Sequence, residues 1–250
     1  MRTIKTIIFL GLILFIAACS NDDDKITNGN ITLNFTHNWD GESVSSSSFN
    51  TVNLINANGE VLSISKLRYL VSNISLVKPN GALIPLSDYL LIDVTNENTS
   101  LEIINIPFGT YTNMTFTFGF NKIDNVDGDY LDLNSSSWNW PTMLGGGYHF
   151  MQFEGKYEDG GTLSPFAYHM GTARKSTDVF EQNFFNISLD GFSLTNNTEI
   201  EIKMNIAEWF KKPITWDLKV LNVNLMPNYD AQKIMNENGK SVFSLGEITQ

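Results

Sequence analysis

Residues 113–120 read NMTFTFGF, and here Met114, Phe116, Phe118 and Phe120 alternate with Asn113, Thr115, Thr117 and Gly119. A period of two keeps all four large apolar side chains on one face of a strand, whereas a helix would scatter them around its axis. The same alternation recurs in EIEIKMNI (199–206), with Ile200, Ile202, Met204 and Ile206 inward and Glu201, Lys203 and Asn205 outward, and in ITLNF (31–35), with Ile31, Leu33 and Phe35 inward. One buried and one solvated face is the habit of antiparallel sheets. Turn residues punctuate the strands at Asn58-Gly59, Pro79-Asn80-Gly81, Pro107-Phe108-Gly109 and Asp159-Gly160-Gly161. The pattern predicts a mostly β chain: an antiparallel β-sandwich or barrel-like domain with one or two short helices. The helices are expected at Tyr229–Asn238, stopped by Gly239, and at Ile206–Phe210.

The chain has 250 residues, of which 42% are hydrophobic, enough to bury a core. No proline-rich or charged linker and no internal repeat divides the body, so residues 31–250 read as one β-rich domain. Before it, Arg2 and Lys5 precede an apolar run from Ile7 to Ala18, too short for a comfortable membrane span. The run ends in Ile16-Ala17-Ala18-Cys19 and gives way to Ser20-Asn21-Asp22-Asp23-Asp24, which resembles a bacterial lipobox. Residues 1–18 are therefore expected to be a lipoprotein signal peptide, Cys19 the lipidated residue, and 19–30 an acidic tether. That anchors the protein to a membrane, the outer membrane by this reading, facing either the cell surface or the periplasm.

Cys19 is the only cysteine, so disulfides and thiolate metal sites are excluded. The net charge is −11, and removing residues 1–18 takes away Arg2 and Lys5 to give −13. A chain this acidic is a poor partner for nucleic acid. It contains no G-x-S-x-G elbow, no P-loop, no G-x-G-x-x-G between strand and helix and no H-E-x-x-H, and no enzyme activity is expected. Asp124, Asp127, Asp129 and Asp132 surround Gly128 in NKIDNVDGDYLDLN, a composition that suits calcium. The EF-hand spacing fails, because Ile123 stands where the first ligand belongs, and a solvated loop is the alternative.

The chain has three histidines, and all fall in apolar strand-like sequence: His37 in LNFTHNWDG, His149 in GGGYHFMQFEG and His169 in PFAYHMG. Alternation places His149 with Met151 and Phe153, and His169 with Ala167 opposite Tyr168 and Met170. Imidazoles without thiolates suit copper or zinc, and Met143, Met151 and Met170 nearby favour Cu(I). The three glycines 145–147 let the backbone turn tightly, so that Trp140 and His149 can approach.

The order of several short motifs resembles the MbnP-like copper-binding proteins, named for periplasmic partners of methanobactin. The matching residues are Phe35 with His37, Lys66–Leu76 (KLRYLVSNISL), Trp138 with Trp140, Gly147 with Tyr148, Glu154 with Gly155, Phe166–Gly171 (FAYHMG), and, towards the C-terminus, NIAEWF and KIMNENG. The resemblance implies a β-rich exported protein that binds copper, free or as a chelate, through histidines, with His37 and His169 matching the family's histidines. In some relatives a tryptophan oxidised to kynurenine supplies a further ligand, which makes Trp39, Trp138 and Trp140 candidates beside Met143. The chain departs from the pattern in having His149 after Gly-Tyr and the insertion PTMLGG at 141–146. The rival expectation is a non-metal sandwich in which Trp39, Trp138 and Trp140 form an exposed platform for glycan or protein.

Overall fold

Strand β1 (Asn28–Trp39) is buried at every second residue, so its apolar set, Ile31, Leu33 and Phe35 among them, faces one way, as the alternation predicts. The computed structural model describes residues 27–250; the signal segment 1–18, Cys19 and the acidic run after it lie outside the described residues. β1 begins inside the stretch read as tether. The strands that follow are β2 (Glu42–Ser43), β3 (Leu54–Ile55), β4 (Val61–Val77), β5 (Leu83–Asp93), β6 (Ser100–Pro107), β7 (Gly109–Phe118), β8 (Met151–Asp159), β9 (Thr162–Met170), β10 (Ala173–Ser176), β11 (Val179–Glu181), β12 (Phe185–Leu194), β13 (Thr198–Asn205) and β14 (Phe243–Thr249). They form a small sheet ordered β14–β13–β1–β2, with β6 also on β1, and a large one ordered β12–β7–β4–β8–β9, with β3 and β5 also on β4; β10 and β11 pair separately. Antiparallel pairing prevails, although β1 and β13 run parallel with Ile31 opposite Thr198 and His37 opposite Met204.

The two sheets pack as a sandwich around aromatic side chains. Phe35 meets Tyr69 at 6.4 Å between ring centroids, and Phe116 meets Phe243 at 5.1 Å. Both contacts run from the small sheet to the large one, and both are edge-on, the arrangement that aromatic quadrupoles favour.

The functional region arises from the length of β4. Its first half, Leu62–Tyr69, pairs with β8, and its second half, Val71–Val77, pairs on the same edge with β7. The two neighbours part at Leu70, whose N–H donates to Phe150 and whose carbonyl accepts from Gly119. The chain between them, residues 119–150, leaves at this fork and folds back over the outer face of the large sheet. It carries the short helix α1 (Leu131–Ser135) and a 3-10 turn at Thr142–Leu144. Phe120, Tyr130 and Tyr148 from this segment pack with Tyr89 of β5 to make a second apolar layer.

The predicted C-terminal helix is present as α2 (Tyr229–Gly239), its first turn capped by the Asn228 side chain, which accepts from Ala231 N at 3.1 Å. Residues 206–210 form a 3-10 turn rather than an α-helix, with the Asn205 side chain as cap.

Candidate metal centre

β8 and β9 are joined by a two-residue turn in which Gly160 and Gly161 both have positive φ, 59° and 86°, as a tight hairpin requires. This turn sets the register: Gln152 lies opposite His169 and Glu154 opposite Ala167, all on the outer face. His169 Nε2 is 2.9 Å from Glu154 Oε1, and Lys66 Nζ donates to that same oxygen at 2.8 Å. The hydrogen bond from His169 holds the Glu154 carboxyl at about 2, well below the usual carboxylate range, despite partial burial. An ionised carboxylate only accepts, so His169 Nε2 donates, and Nδ1 makes no hydrogen bond among the described residues. Gln232 of α2 fixes the end of the strand: its Nε2 donates to the His169 carbonyl at 2.7 Å, and its Oε1 accepts from Gly171 N at 3.2 Å.

His149 is held by Trp138, whose carbonyl accepts from the His149 backbone N–H at 2.8 Å and lies 3.0 Å from its Nδ1. A carbonyl only accepts, so Nδ1 donates, and Nε2 makes no hydrogen bond among the described residues. Burial, with His169 alongside, lowers the His149 pKa to about 4 and keeps the ring neutral. The rings of His149 and His169 stand 5.4 Å apart, centroid to centroid, at 79°. Two imidazoles bound to one metal, each about 2 Å from it through nitrogen, place their centroids within roughly 6 Å of one another.

The indole rings close in on the pair. Trp140 meets His149 edge-on at 4.9 Å and Trp138 lies at 5.6 Å. Both are buried. Gly171 is needed for this packing, since a Cβ there would lie 2.5 Å from the Trp140 ring. Arg68 sits 5.0 Å over the Trp138 ring and pairs with Asp93 at 3.0 Å. The Trp138 Nε1–H is buried without a hydrogen-bond partner among the described residues.

The expected face of His149 needs correction. It shares a surface with His169, not with Met151 and Phe153, because β8 starts only at Met151 and strand alternation does not extend upstream of it. There Gly145, Gly146 and Gly147 have φ of 115°, 68° and 80°, and the loop read as a calcium candidate grips them: Asp127 Oδ1 accepts from Gly147 N at 2.6 Å and Asn125 Oδ1 from Tyr148 N at 2.9 Å. Two of the other three acidic side chains point to separate partners, Asp124 to Asn73 and Asn121, and Asp132 to Tyr89. Among the described residues no three of His, Cys, Asp and Glu gather into a metal-holding group.

His37 is not brought to the pair. It points into the sandwich interior, where its Nε2 lies 2.9 Å from the Tyr69 hydroxyl, and Tyr69 faces away from Arg68 and hence from His169. Trp39 lies on that same interior side, against Phe210 at 5.7 Å and bonded to the Ile55 carbonyl. Met151 and Met170 are fully buried on the interior face, while Met143 is 72% exposed on the outer side. The expected tryptophan platform is absent: Trp39, Trp138 and Trp140 are 6%, 0% and 1% exposed, because strand pairing and the covering segment turn all three inward.

The MbnP family model matches residues 28–228, most of the chain and every residue of this pair. The chain belongs to the MbnP family. The MbnP fold also appears in a solved structure, MbnP from Methylosinus trichosporium, with a TM-score of 0.56 and 14% identity, covering 88% of this chain and 99% of that one; at this identity the likeness establishes the fold. No curated protein matches this sequence. Within this MbnP-family chain, sequence reasoning named the two histidines and two tryptophans but missed Glu154, Gln232 and Arg68 as the groups that orient them. The Glu154 contact was countable from the Gly160-Gly161 turn, which fixes the register across the hairpin.

Proposed function

We propose that this MbnP-family protein is an exported lipoprotein that binds copper between His149 and His169, to store it, scavenge it or hand it on, without catalysis. One observation carries the reading: two imidazoles stand edge-on 5.4 Å apart, each with one ring N–H committed to an acceptor and the other nitrogen making no hydrogen bond among the described residues. A buried carbonyl on one ring and a carboxylate on the other are the partners that fix tautomer and raise basicity in histidine metal sites. Imidazole donors without thiolates suit copper, and the indoles of Trp138 and Trp140 exclude water from one side. Copper is the cargo here. His37, Trp39, Met151 and Met170 take no part in holding it.

The lipobox supports the location. Cys19 carries the lipid, and the protein sits on the outer membrane, at the surface or on the periplasmic side. Cys19→Ser is expected to abolish incorporation of a fatty-acid analogue, and undiminished label contradicts the anchor. For the metal, copper-free protein is expected to retain one copper per chain against a competing chelator. Loss of all copper to the chelator contradicts the proposal.

A further inference from the structure

His169 also lines a cavity of about 500 Å³ beside the pair, walled by Pro141, Leu144, Leu225, Met226 and Pro227, with the exposed Met143 as part of its lining. That volume lies in the range of small-molecule sites, about 300–1,000 Å³, and so does the character of the wall: mostly apolar, with few polar groups. The charged group is Arg174, at the start of β10.

Arg174 stands out against the rest of the chain. The sequence has three arginines, Arg2, Arg68 and Arg174. Arg68 is paired with Asp93 and stacked on Trp138. Arg174 makes no ion pair among the described residues, in a protein with 27 acidic and 16 basic residues where carboxylates are plentiful. A guanidinium without a partner, half-buried at the wall of an apolar cavity, lacks the anion it is shaped to hold in a bidentate pair.

We infer that this cavity binds a small apolar molecule bearing one anionic group, an aromatic or medium-chain carboxylate, with the anion on Arg174 and the body against Leu144, Leu225 and Met226. The thioethers of Met143 and Met226 adapt to irregular ligands and make favourable sulfur–aromatic contacts. The inference goes beyond the copper reading and does not depend on it, since every wall of the cavity is present without metal. Because His169 belongs to both sites, occupancy of one changes affinity at the other by the same factor in each direction if both readings hold.

The test uses copper-free full-length protein and two fluorescent probes, naphthalene-2-carboxylate and its neutral carboxamide. Wild type is expected to bind the carboxylate at least about tenfold more tightly than the amide, the worth of one charge-assisted pair. Arg174→Gln is expected to erase that preference and Arg174→Lys to keep part of it. Met226→Glu, which sets a like charge beside the ligand, is expected to weaken carboxylate binding selectively. Equal affinities for the two probes in wild type, no binding of either, or an unchanged preference in Arg174→Gln overturns the inference. Copper binding measured in the same preparations separates its failure from that of the copper site.

Discussion

His37 and the pair His149–His169 lie on opposite faces of the large sheet, and the difference between them lies in what their neighbours can donate. Tyr69 makes no other hydrogen bond among the described residues, and the contact of its buried hydroxyl with His37 Nε2 occupies that ring nitrogen. Trp138 O and Glu154 have no proton to give, so each accepts a hydrogen bond from one ring N–H, and the other ring nitrogens make no hydrogen bond among the described residues. His37 is 6% exposed and built into the sandwich like a core residue. His149 is equally buried, at 6%, and His169 stands beside the apolar cavity. Three imidazoles of the same composition are thus divided by partner chemistry into one structural and two ligand-like groups.

Acid is the harshest way to probe that division. Burial lowers the His37 pKa from 6.5 to about 4. The unfolded chain binds the proton more readily, so the contribution is intact above pH 6.5 and is lost as pH falls towards 4, by about 3 kcal/mol over that window. Tyr69 does not titrate there, its pKa being raised well above the usual value by burial; His37 also borders a shallow groove whose lining includes the carboxylate of Glu97. His37→Gln, which still accepts from Tyr69, is expected to flatten stability between pH 6.5 and 4 by that amount in chemical denaturation. An unchanged slope contradicts the structural role. His149 on the outer face, also lowered to about 4, loses stability over the same window, and Glu154, held at about 2 chiefly by the hydrogen bond from His169, adds a second one, contributing above pH 4.5 and losing its contribution between 4.5 and 2.

Next in size is Gly171→Ala. Its Cβ meets the Trp140 ring at 2.5 Å, and overpacking of this kind costs about 1–3 kcal/mol. Copper affinity is expected to fall with it, because the indole that covers His149 must move. Full affinity in this variant separates Trp140 from the site.

The alternation in NMTFTFGF and EIEIKMNI was enough to reveal the sheets, because half-buried strands write their faces into every second residue. It also placed His169 correctly opposite Tyr168, since both lie inside β9. The same rule failed for His149, which precedes β8 in a chain whose path is set by three left-handed glycines and by side chains from residues 125 and 127, far away in sequence. The cavity was not legible for a related reason: Arg174, Leu225 and Met226 come from an edge strand and a loop, and no local pattern joins them.

A smaller and more selective effect is expected from Glu154→Gln. The side chain is partly exposed, so the fold should persist, while His169 loses its anionic orienting partner; changes of this type lower metal affinity about 10–100-fold. Copper affinity equal to wild type, measured by chelator competition, would make Glu154 a surface ion pair and nothing more.

Which imidazoles hold the metal is decided most directly by one titration. Copper-free wild type, His37→Gln, and the double variant His149→Ala with His169→Ala are titrated with Cu(I) against a competing chelator, with thermal unfolding recorded on the same samples. The prediction is that His37→Gln keeps wild-type copper affinity with altered stability, whereas the double variant stays folded and loses the site. Wild-type affinity in the double variant, or loss of binding in His37→Gln alone, would contradict it.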